Sequence, residues 1–182
     1  PEWLVTEFAI ARQAAVSVPL YSTFAVENLS QITRLANVTT AVCNPCQVVH
    51  LLHSISLGSP IKRIIATDSA KSLSLSDVEK LSSEARSLGV EFRTWEEVIK
   101  IGKSNPVPPV SCSPSDIFTI VFSSGTTGEP RGSVITHRTA VIGINSLASK
   151  EAFSLLPEVN TLVSYLPLSH VYERGFLYMM TL

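Results

Sequence analysis

Residues 120–132 carry the residue types that could hold a phosphate group. The segment reads Ile-Val-Phe-Ser-Ser-Gly-Thr-Thr-Gly-Glu-Pro-Arg-Gly, so an apolar run leads into small hydroxyl residues and glycines and then meets a cation. Glycines let backbone N–H groups approach an anion closely, and successive N–H groups in a turn form an anion-binding concavity. The pattern predicts a phosphate-binding loop at 123–132, and a small-residue hairpin joining two strands is the structural alternative.

Hydroxyl groups, glycines and one guanidinium group make up this predicted site. The phosphate-binding residues that we expect are Ser123, Ser124, Gly125, Thr126, Thr127, Gly128 and Arg131. A hydroxyl group of Thr126 or Thr127 could also bind Mg²⁺, and the planar guanidinium of Arg131 could complete the phosphate contact. The loop is not the P-loop of the common NTPases, because it lacks the Gly-Lys-Ser/Thr sequence.

Strands that alternate with helices would position this loop. Helical periodicity predicts helices over 3–15, 25–36, 45–57, 76–88, 95–102 and 138–150. Short apolar runs predict strands over 16–21, 39–43, 61–67, 90–94, 117–122, 134–136 and 162–166. The alternation predicts an α/β fold, a doubly wound, mostly parallel sheet flanked by helices.

The strand that precedes the loop has a distinctive composition. Residues 117–122 are apolar except for Thr119, which predicts a central strand buried on both faces. The loop then follows the carboxyl end of that strand, where open α/β sheets bind ligands.

Helix ends and chain segments are also marked in the sequence. Capping boxes are predicted at Ser76–Glu79 and Thr94–Glu97, with Gly89 and Gly102 closing the two helices. The four prolines of residues 104–116 predict an extended connector. The chain is therefore divided into an α/β segment 1–103, this connector, and a segment 117–182 that holds the loop.

Composition narrows the class of protein. The 182 residues are 45% hydrophobic and have a formal net charge of −1, so the chain can bury a core and is not expected to bind nucleic acid through phosphate contacts. No apolar run approaches the ~20 residues of a membrane-spanning helix. The missing initiator Met and the apolar C-terminal end predict an internal segment of a longer protein.

Two motifs resemble those of the adenylate-forming, or AMP-binding, superfamily. Residues 123–132 resemble its phosphate loop, Thr-Ser-Gly-Thr-Thr-Gly-x-Pro-Lys-Gly. Residues 165–174, Tyr-Leu-Pro-Leu-Ser-His-Val-Tyr-Glu-Arg, resemble the Tyr-Leu-Pro-Leu-Ala-His-x-x-Glu-Arg segment of long-chain fatty acyl-CoA synthetases. The sequences at 1–3, 18–21 and 136–138 are similar to that branch as well, so the resemblance spans nearly the whole chain. Two departures are Arg131 in place of the commoner Lys and Ser133 in place of an apolar residue.

The resemblance implies part of the large N-terminal domain of a long-chain fatty acid–CoA ligase. Such enzymes join a fatty acid to ATP as an acyl-adenylate and then transfer the acyl group to CoA, releasing AMP. The implied ligands are fatty acid, ATP, Mg²⁺ and CoA as co-substrate. Ser123 to Arg131 would hold the β- and γ-phosphates, and His170 would be the catalytic residue that lines the acyl and α-phosphate region. The segment alone is expected to be inactive, because the family's later motifs are absent from it.

Alternatives to this function stay open. The chain could come from a nucleotide-binding homologue without catalysis, or from an adenylate-forming ligase for another carboxylic acid. The parent protein is expected at the endoplasmic reticulum or peroxisome membrane, or in the cytoplasm. Any membrane association would run through parts outside this segment, and the sequence does not predict an oligomeric state.

Several polar side chains have competing interpretations. His170 could simply be a satisfied histidine at a helix end, and His137 is expected to be structural. Glu173 and Arg174 could form a structural ion pair or take part in the site. Cys43-Asn44-Pro45-Cys46, followed by His50 and His53, could be a redox or zinc site, although buried small side chains at a helix start are the favoured interpretation.

Overall fold

The computed structural model describes residues 2–67, 74–123, 129–147 and 163–181. The helices in these ranges are α1 (Glu2–Arg12), α2 (Val26–Leu35), α3 (Pro45–Ser56), α4 (Leu75–Ser87), α5 (Trp95–Ser104), α6 (His137–Leu147) and α7 (Val171–Thr181). The strands are β1 (Thr40–Cys43), β2 (Arg63–Ala66), β3 (Glu91–Thr94), β4 (Ile117–Ser123) and β5 (Arg131–Thr136). None of the helices within these ranges has the length and hydropathy needed to cross a membrane.

Strands β1, β2 and β3 form a parallel sheet in that order. The register places Ala41 of β1 beside Ile64 of β2 and Ile64 beside Phe92 of β3. Each strand connects to the next through a helix, as parallel neighbours require. The predicted α/β fold with a parallel sheet is confirmed.

Helices lie on both faces of this sheet. One face packs on α3 and α4, where the core consists of Ala41, Val48, Leu51, Leu52, Ile61, Ile64, Ala66, Leu81, Ala85 and Val90. Side chains alternate along a strand, so Ile65 belongs to the opposite face. On that face lies a shallow cavity of about 290 Å³, lined in part by Ile65 of β2, Arg93 of β3 and Val98 of α5.

Strands β4 and β5 form a separate antiparallel pair. The strand predicted at 117–122 is confirmed, but its predicted burial on both faces is wrong, because β4 buries only Thr119 and Phe122 among its seven residues. The predicted strand at 16–21 is also wrong. It makes an isolated parallel bridge between Ser17 and Thr119, and Pro19 has no N–H group with which to extend the pairing.

The observed helix ends correct two of the predicted ones. Helix α4 begins after Ser74, whose hydroxyl accepts a hydrogen bond from the Asp77 N–H at 3.2 Å while the Asp77 carboxylate accepts one from the Ser74 N–H at 3.0 Å. The box predicted at Ser76–Glu79 is wrong, because the shorter Asp side chain closes the box two residues earlier. The box at Thr94–Glu97 is confirmed, with the Thr94 N–H donating to the Glu97 carboxylate at 2.8 Å.

Glycine marks one helix end and not the other. Gly89 follows α4 with a φ of +71°, which glycine adopts at no steric cost, so this predicted end is confirmed. Helix α5 continues past Gly102 to Ser104, so that predicted end is wrong.

The segment before α7 also differs from expectation. A buried strand was predicted at 162–166, but residues 163–166 form no strand, and the side chains of Val163 and Tyr165 are 82% and 74% exposed. Leu162 lies outside the described residues. A short stretch without helix or strand therefore leads into the turn that precedes α7.

Candidate active site

The two ends of the predicted phosphate loop face each other across the β4–β5 pair. Ser123, the last residue of β4, is the direct partner of Arg131, the first residue of β5. Both residues are exposed. Ser124, Gly125, Thr126, Thr127 and Gly128 lie outside the described residues. Because a phosphate loop and a simple hairpin both fit this arrangement, phosphate binding stays a prediction.

Close packing at the base of the loop requires a glycine. A Cβ atom on Gly132 would lie 3.0 Å from a methyl group of Ile120 and 3.0 Å from the ring of Phe122. Gly132 therefore lets β5 approach β4 directly behind Arg131. The loop is thus anchored on a tightly packed strand pair.

The predicted Mg²⁺ ligands cannot be placed. Thr126 and Thr127 belong to the stretch outside the described residues, so their fit to a metal ion is a prediction only. Within the described ranges there is no group of three or more His, Cys, Asp or Glu side chains arranged to hold a metal ion.

His170 lies at the N-terminus of α7 and caps it. Its Nδ1 atom accepts a hydrogen bond from the Tyr172 N–H at 3.2 Å, and its carbonyl accepts one from the Arg174 N–H at 3.2 Å. An accepting Nδ1 carries no proton, so the neutral ring has its proton on Nε2. The structural interpretation of a histidine satisfied at a helix end is confirmed, and the Nε2–H group remains available as a donor.

Arg174 forms a buried ion pair, but not with its neighbour. Its Nη1 atom lies 3.0 Å from Oε1 of Glu7 in α1, and the two side chains are only 3% and 4% exposed. Of the two alternatives for Glu173 and Arg174, the ion pair between them is not formed, because adjacent residues of a helix point in different directions. Glu173 is buried too, without an ion pair or hydrogen bond from its side chain to another described residue.

A closed ring of polar contacts surrounds this ion pair. Glu7 Oε1 also accepts from the Ser17 hydroxyl at 3.1 Å, and Arg174 Nη1 also donates to the Thr119 hydroxyl at 3.3 Å. Thr119 in turn donates to the Ser17 carbonyl at 3.0 Å, which closes the ring. We call Glu7, Ser17, Thr119 and Arg174 the buried ring. Each of the four is at most 4% exposed, so water does not weaken these contacts.

Aromatic side chains continue from the buried ring toward α6. Burial raises the pKa of Tyr178, with a further contribution from the nearby Glu7 carboxylate, so its hydroxyl stays protonated. The Tyr178 ring lies 6.1 Å from those of Phe8 and Phe118, and Phe118 lies 5.2 Å from His137. His137 opens α6 from within this cluster, which agrees with its expected structural role.

The cysteine hypotheses fail on the electrostatics and the geometry. Burial, together with the neighbouring Cys46, raises the pKa of the Cys43 thiol to about 12, whereas a redox cysteine needs a lowered pKa. All three cysteines are free thiols. Cys43, Cys46, His50 and His53 all lie within the described ranges and form no metal-binding group there.

Sequence reasoning missed three of the four ring residues. Two signals were present: Glu7 falls on the apolar stripe of α1, one helical turn from Trp3 and from Ala11, and Thr119 interrupts the apolar run of β4. A carboxylate on an apolar helix face points to a buried partner, of which a cation is one kind. The sequence did not indicate that the cation is Arg174, 167 residues away.

Comparisons with known proteins agree with the two motifs. The whole chain, residues 1–182, matches the family described as AMP-binding enzyme. The chain is 34% identical to long chain acyl-CoA synthetase 7, peroxisomal, of Arabidopsis thaliana over 96% of its own length and 24% of that relative. It is 31% identical to long-chain-fatty-acid–CoA ligase 1 of Homo sapiens over the same shares, 96% and 24%. The chain thus spans about a quarter of the length of these curated relatives.

Solved structures share the fold at lower identity. The A domain of carboxylic acid reductase from Segniliparus rugosus, in complex with AMP and a co-purified carboxylic acid, superposes with a TM-score of 0.78 at 18% identity, covering 99% of this chain and 30% of that one. ATP-bound MatB from Rhodopseudomonas palustris gives 0.61 at 17% identity, with shares of 99% and 30%. At these identities the likeness establishes the fold alone.

Proposed function

This chain belongs to the AMP-binding enzyme family, and from that premise we propose that its parent protein is a long-chain fatty acid–CoA ligase. In the first step the fatty acid carboxylate forms a bond to the α-phosphorus of ATP as the bond to pyrophosphate breaks. In the second step the CoA sulfur forms a bond to the acyl carbon, AMP leaves, and the thiol proton is released. The products are acyl-CoA, AMP and pyrophosphate.

The observation that carries this proposal is the presence of both motifs in one chain. The loop sequence at 123–132 suits phosphate binding, and the segment at 165–174 resembles that of long-chain acyl-CoA synthetases. Curated relatives with that name align over 96% of the chain, which supports the same substrate class. Long-chain fatty acid is therefore the acid that we propose.

The described residues have distinct proposed roles. Ser123 and Arg131, facing each other where the loop leaves the sheet, would bind and neutralise the departing pyrophosphate. His170 would present its Nε2–H group to the acyl and α-phosphate region, since its Nδ1 already caps α7. Mg²⁺, with Thr126 or Thr127 as a hydroxyl ligand, would neutralise phosphate charge when it is bound.

The cellular setting is part of the proposal. One relative is named as peroxisomal, which supports the peroxisome as the location. The endoplasmic reticulum membrane and the cytoplasm are the other locations that we propose. Any membrane contact would be made by segments outside these 182 residues. The three-part organisation, 1–103, 104–116 and 117–182, is proposed to lie within one N-terminal domain.

Fatty-acid-dependent ATP–pyrophosphate exchange by the whole protein tests the proposal. Palmitate, octanoate, benzoate and an amino acid are compared, and palmitate is expected to give the fastest exchange. The variant Arg131→Met is expected to slow ATP–pyrophosphate exchange by about 10-fold or more, because a positive charge facing the pyrophosphate is lost. Arg93→Met, a change to an arginine on β3, is the control and should leave the rate unchanged.

Each outcome of this assay has a clear meaning. Fastest exchange with another acid would replace the long-chain assignment with that acid. ATP binding without exchange for any acid would overturn the enzymatic proposal in favour of a non-catalytic nucleotide-binding homologue.

A further inference from the structure

We propose that the buried ring aligns His170 with the phosphate loop, with Arg174 as the positioning residue. The inference rests on the proposed function, because alignment matters only if both groups act on the same ATP. It assigns a role to Glu7, Ser17 and Thr119, none of which belongs to either motif. One juxtaposition supports it: the polar contacts of the buried ring join α7, the helix that His170 caps, to β4, the strand that leads into the loop.

Arg174 is rigidly connected to His170. Its backbone N–H donates to the His170 carbonyl at 3.2 Å, so the two residues form the first turn of α7. The His170 ring is fixed in turn by the hydrogen bond from the Tyr172 N–H to its Nδ1. Wherever the Arg174 guanidinium is held, the imidazole is held one helical turn away.

Thr119 makes the corresponding connection to the loop. It lies four residues before Ser123 on β4, a distance of about 13 Å along an extended strand. Its hydroxyl accepts from Arg174 Nη1 at 3.3 Å and donates to the Ser17 carbonyl at 3.0 Å. A displacement of α7 along β4 would therefore break contacts on both sides of this hydroxyl.

Glu7 and Ser17 fix the orientation of the Arg174 guanidinium within the buried ring. The carboxylate of Glu7 accepts from both Ser17 and Arg174 through a single oxygen, Oε1. Ser17 is also held to β4 by its backbone, since its N–H donates to the Phe118 carbonyl at 3.2 Å and its carbonyl accepts from the Ile120 N–H at 2.9 Å. The guanidinium thus has one orientation in which every contact is made, which apolar packing alone would not specify.

The guanidinium of Arg174 is buried at a cost. The Nε and Nη2 atoms of Arg174 are buried and make no hydrogen bond of standard geometry to a described residue, although the Tyr178 hydroxyl interacts with the guanidinium, so the structure retains a costly group at this place. Replacing both partners of a buried ion pair with apolar residues of similar volume is often neutral or stabilising. A role in orientation explains why a cation is present.

Thr119→Val in the whole protein tests the alignment with little risk to folding. Valine keeps the shape and leaves the ion pair between Glu7 and Arg174 intact. Thr33→Val is the matched control, because Thr33 is an equally buried threonine, 0% exposed, whose hydroxyl bonds to the Leu29 carbonyl in α2, away from the ring. The rate of pyrophosphate exchange is measured per AMP-binding site, so that unfolded protein is not counted.

We expect Thr119→Val to lower kcat per AMP-binding site by about 10-fold while the KM for ATP changes by less than about 2-fold. Both ligands still bind, but they are less well aligned for reaction. Thr33→Val should keep the wild-type kcat per site. An unchanged kcat per site in Thr119→Val would overturn the inference.

A second measurement does not depend on catalysis. Spin labels on Ser133→Cys in β5 and Val171→Cys in α7 report the distance between the loop strand and the His170 helix. Cys43, Cys46 and Cys112, and every other cysteine of the whole protein, are replaced by serine for this experiment. Thr119→Val should broaden the distance distribution, and Thr33→Val should not. Equal widths would overturn the alignment even if exchange were lost. Absence of exchange in the wild-type protein would refute the proposed ligase and leave the spin-label result to decide the alignment.

Discussion

The sheet of β1–β3 and the buried ring are stabilised in different ways. In the sheet, Ile64 and Val48 are fully buried, and apolar contacts join segments that follow one another closely along the chain. In the ring, charged and hydroxyl groups join α1 to α7 across 167 residues. The sheet is held by burial, whereas the ring is held by directional contacts.

The two regions therefore differ in what they contribute: apolar burial contributes stability, and directional polar contacts contribute alignment. Apolar burial is non-directional and tolerates small shifts of the packed elements. A buried ion pair adds little net stability to the fold. Removing one partner is nevertheless strongly destabilising, because the other charge stays buried without compensation, and the pair forms only in a narrow range of geometries. The ring therefore suits a region in which a helix and a loop must meet a ligand in fixed positions.

Breaking the ion pair should have the largest effect. Arg174→Met leaves the Glu7 carboxylate buried without its cation and is expected to reduce the free energy of unfolding by about 3–5 kcal/mol. Urea denaturation of the whole protein measures this. Arg63→Met, in the exposed ion pair with Glu91, is the control and should leave the midpoint unchanged. Equal midpoints for the two variants would contradict the account of the ring.

Truncating a side chain of the apolar core should have the next largest effect on the free energy of unfolding. Ile64→Ala removes a fully buried side chain between β1 and β3 and is expected to cost about 2–5 kcal/mol. Ile142→Ala, at a position 59% exposed on α6, should change stability by less than about 0.5 kcal/mol. Similar losses for both would show that burial is not what stabilises the sheet.

Removing a helix cap should have a smaller effect and distinguishes the observed cap from the predicted one. Ser74→Ala removes the hydroxyl that accepts from the Asp77 N–H and is expected to cost about 1 kcal/mol. Ser76→Ala should cost clearly less. The reverse order in thermal denaturation would restore the cap predicted from the sequence.

The pH dependence of this cap should be the smallest effect. Hydrogen bonds from the Ser74 side chain and backbone lower the pKa of Asp77 in the folded protein. The cap therefore stabilises the fold above the unfolded pKa of about 3.9 and loses its effect as the pH falls through the lower folded value. Asp77→Asn should lack this part of the acid dependence, as measured by thermal denaturation at pH 6 and pH 3. An identical acid dependence in the variant would count against the carboxylate cap.

Local patterns predicted the sheet region well and the ring region poorly. Helical and strand periodicity placed β1, β2 and β3 to within about two residues, since each element buries its own apolar face. The apolar run of β4 and a short strand at 134–136 were both recognised, but their antiparallel pairing was given only as the hairpin alternative, because an apolar run does not specify which strand pairs with it. The 163–166 stretch was misjudged for a related reason, since apolar residues alone do not guarantee burial.

The candidate site was predicted in part. The sequence pointed to Ser123, Arg131 and His170 through two motifs, residues 123–132 and 165–174, each a run of ten consecutive residues. The partner of Arg174 could not be found in this way, because Glu7 reaches it only after the chain has folded. The capping of α7 by His170 was anticipated as a histidine at a helix end.

Pyrophosphate exchange with Thr119→Val and Ile64→Val measured side by side tests the central claim most directly. Thr119 belongs to the ring and Ile64 to the apolar core, and both changes are mild. The account predicts that the rate per AMP-binding site falls about 10-fold in Thr119→Val and stays at the wild-type value in Ile64→Val. Equal rates per site in the two variants would contradict the claim that the ring aligns the reacting groups.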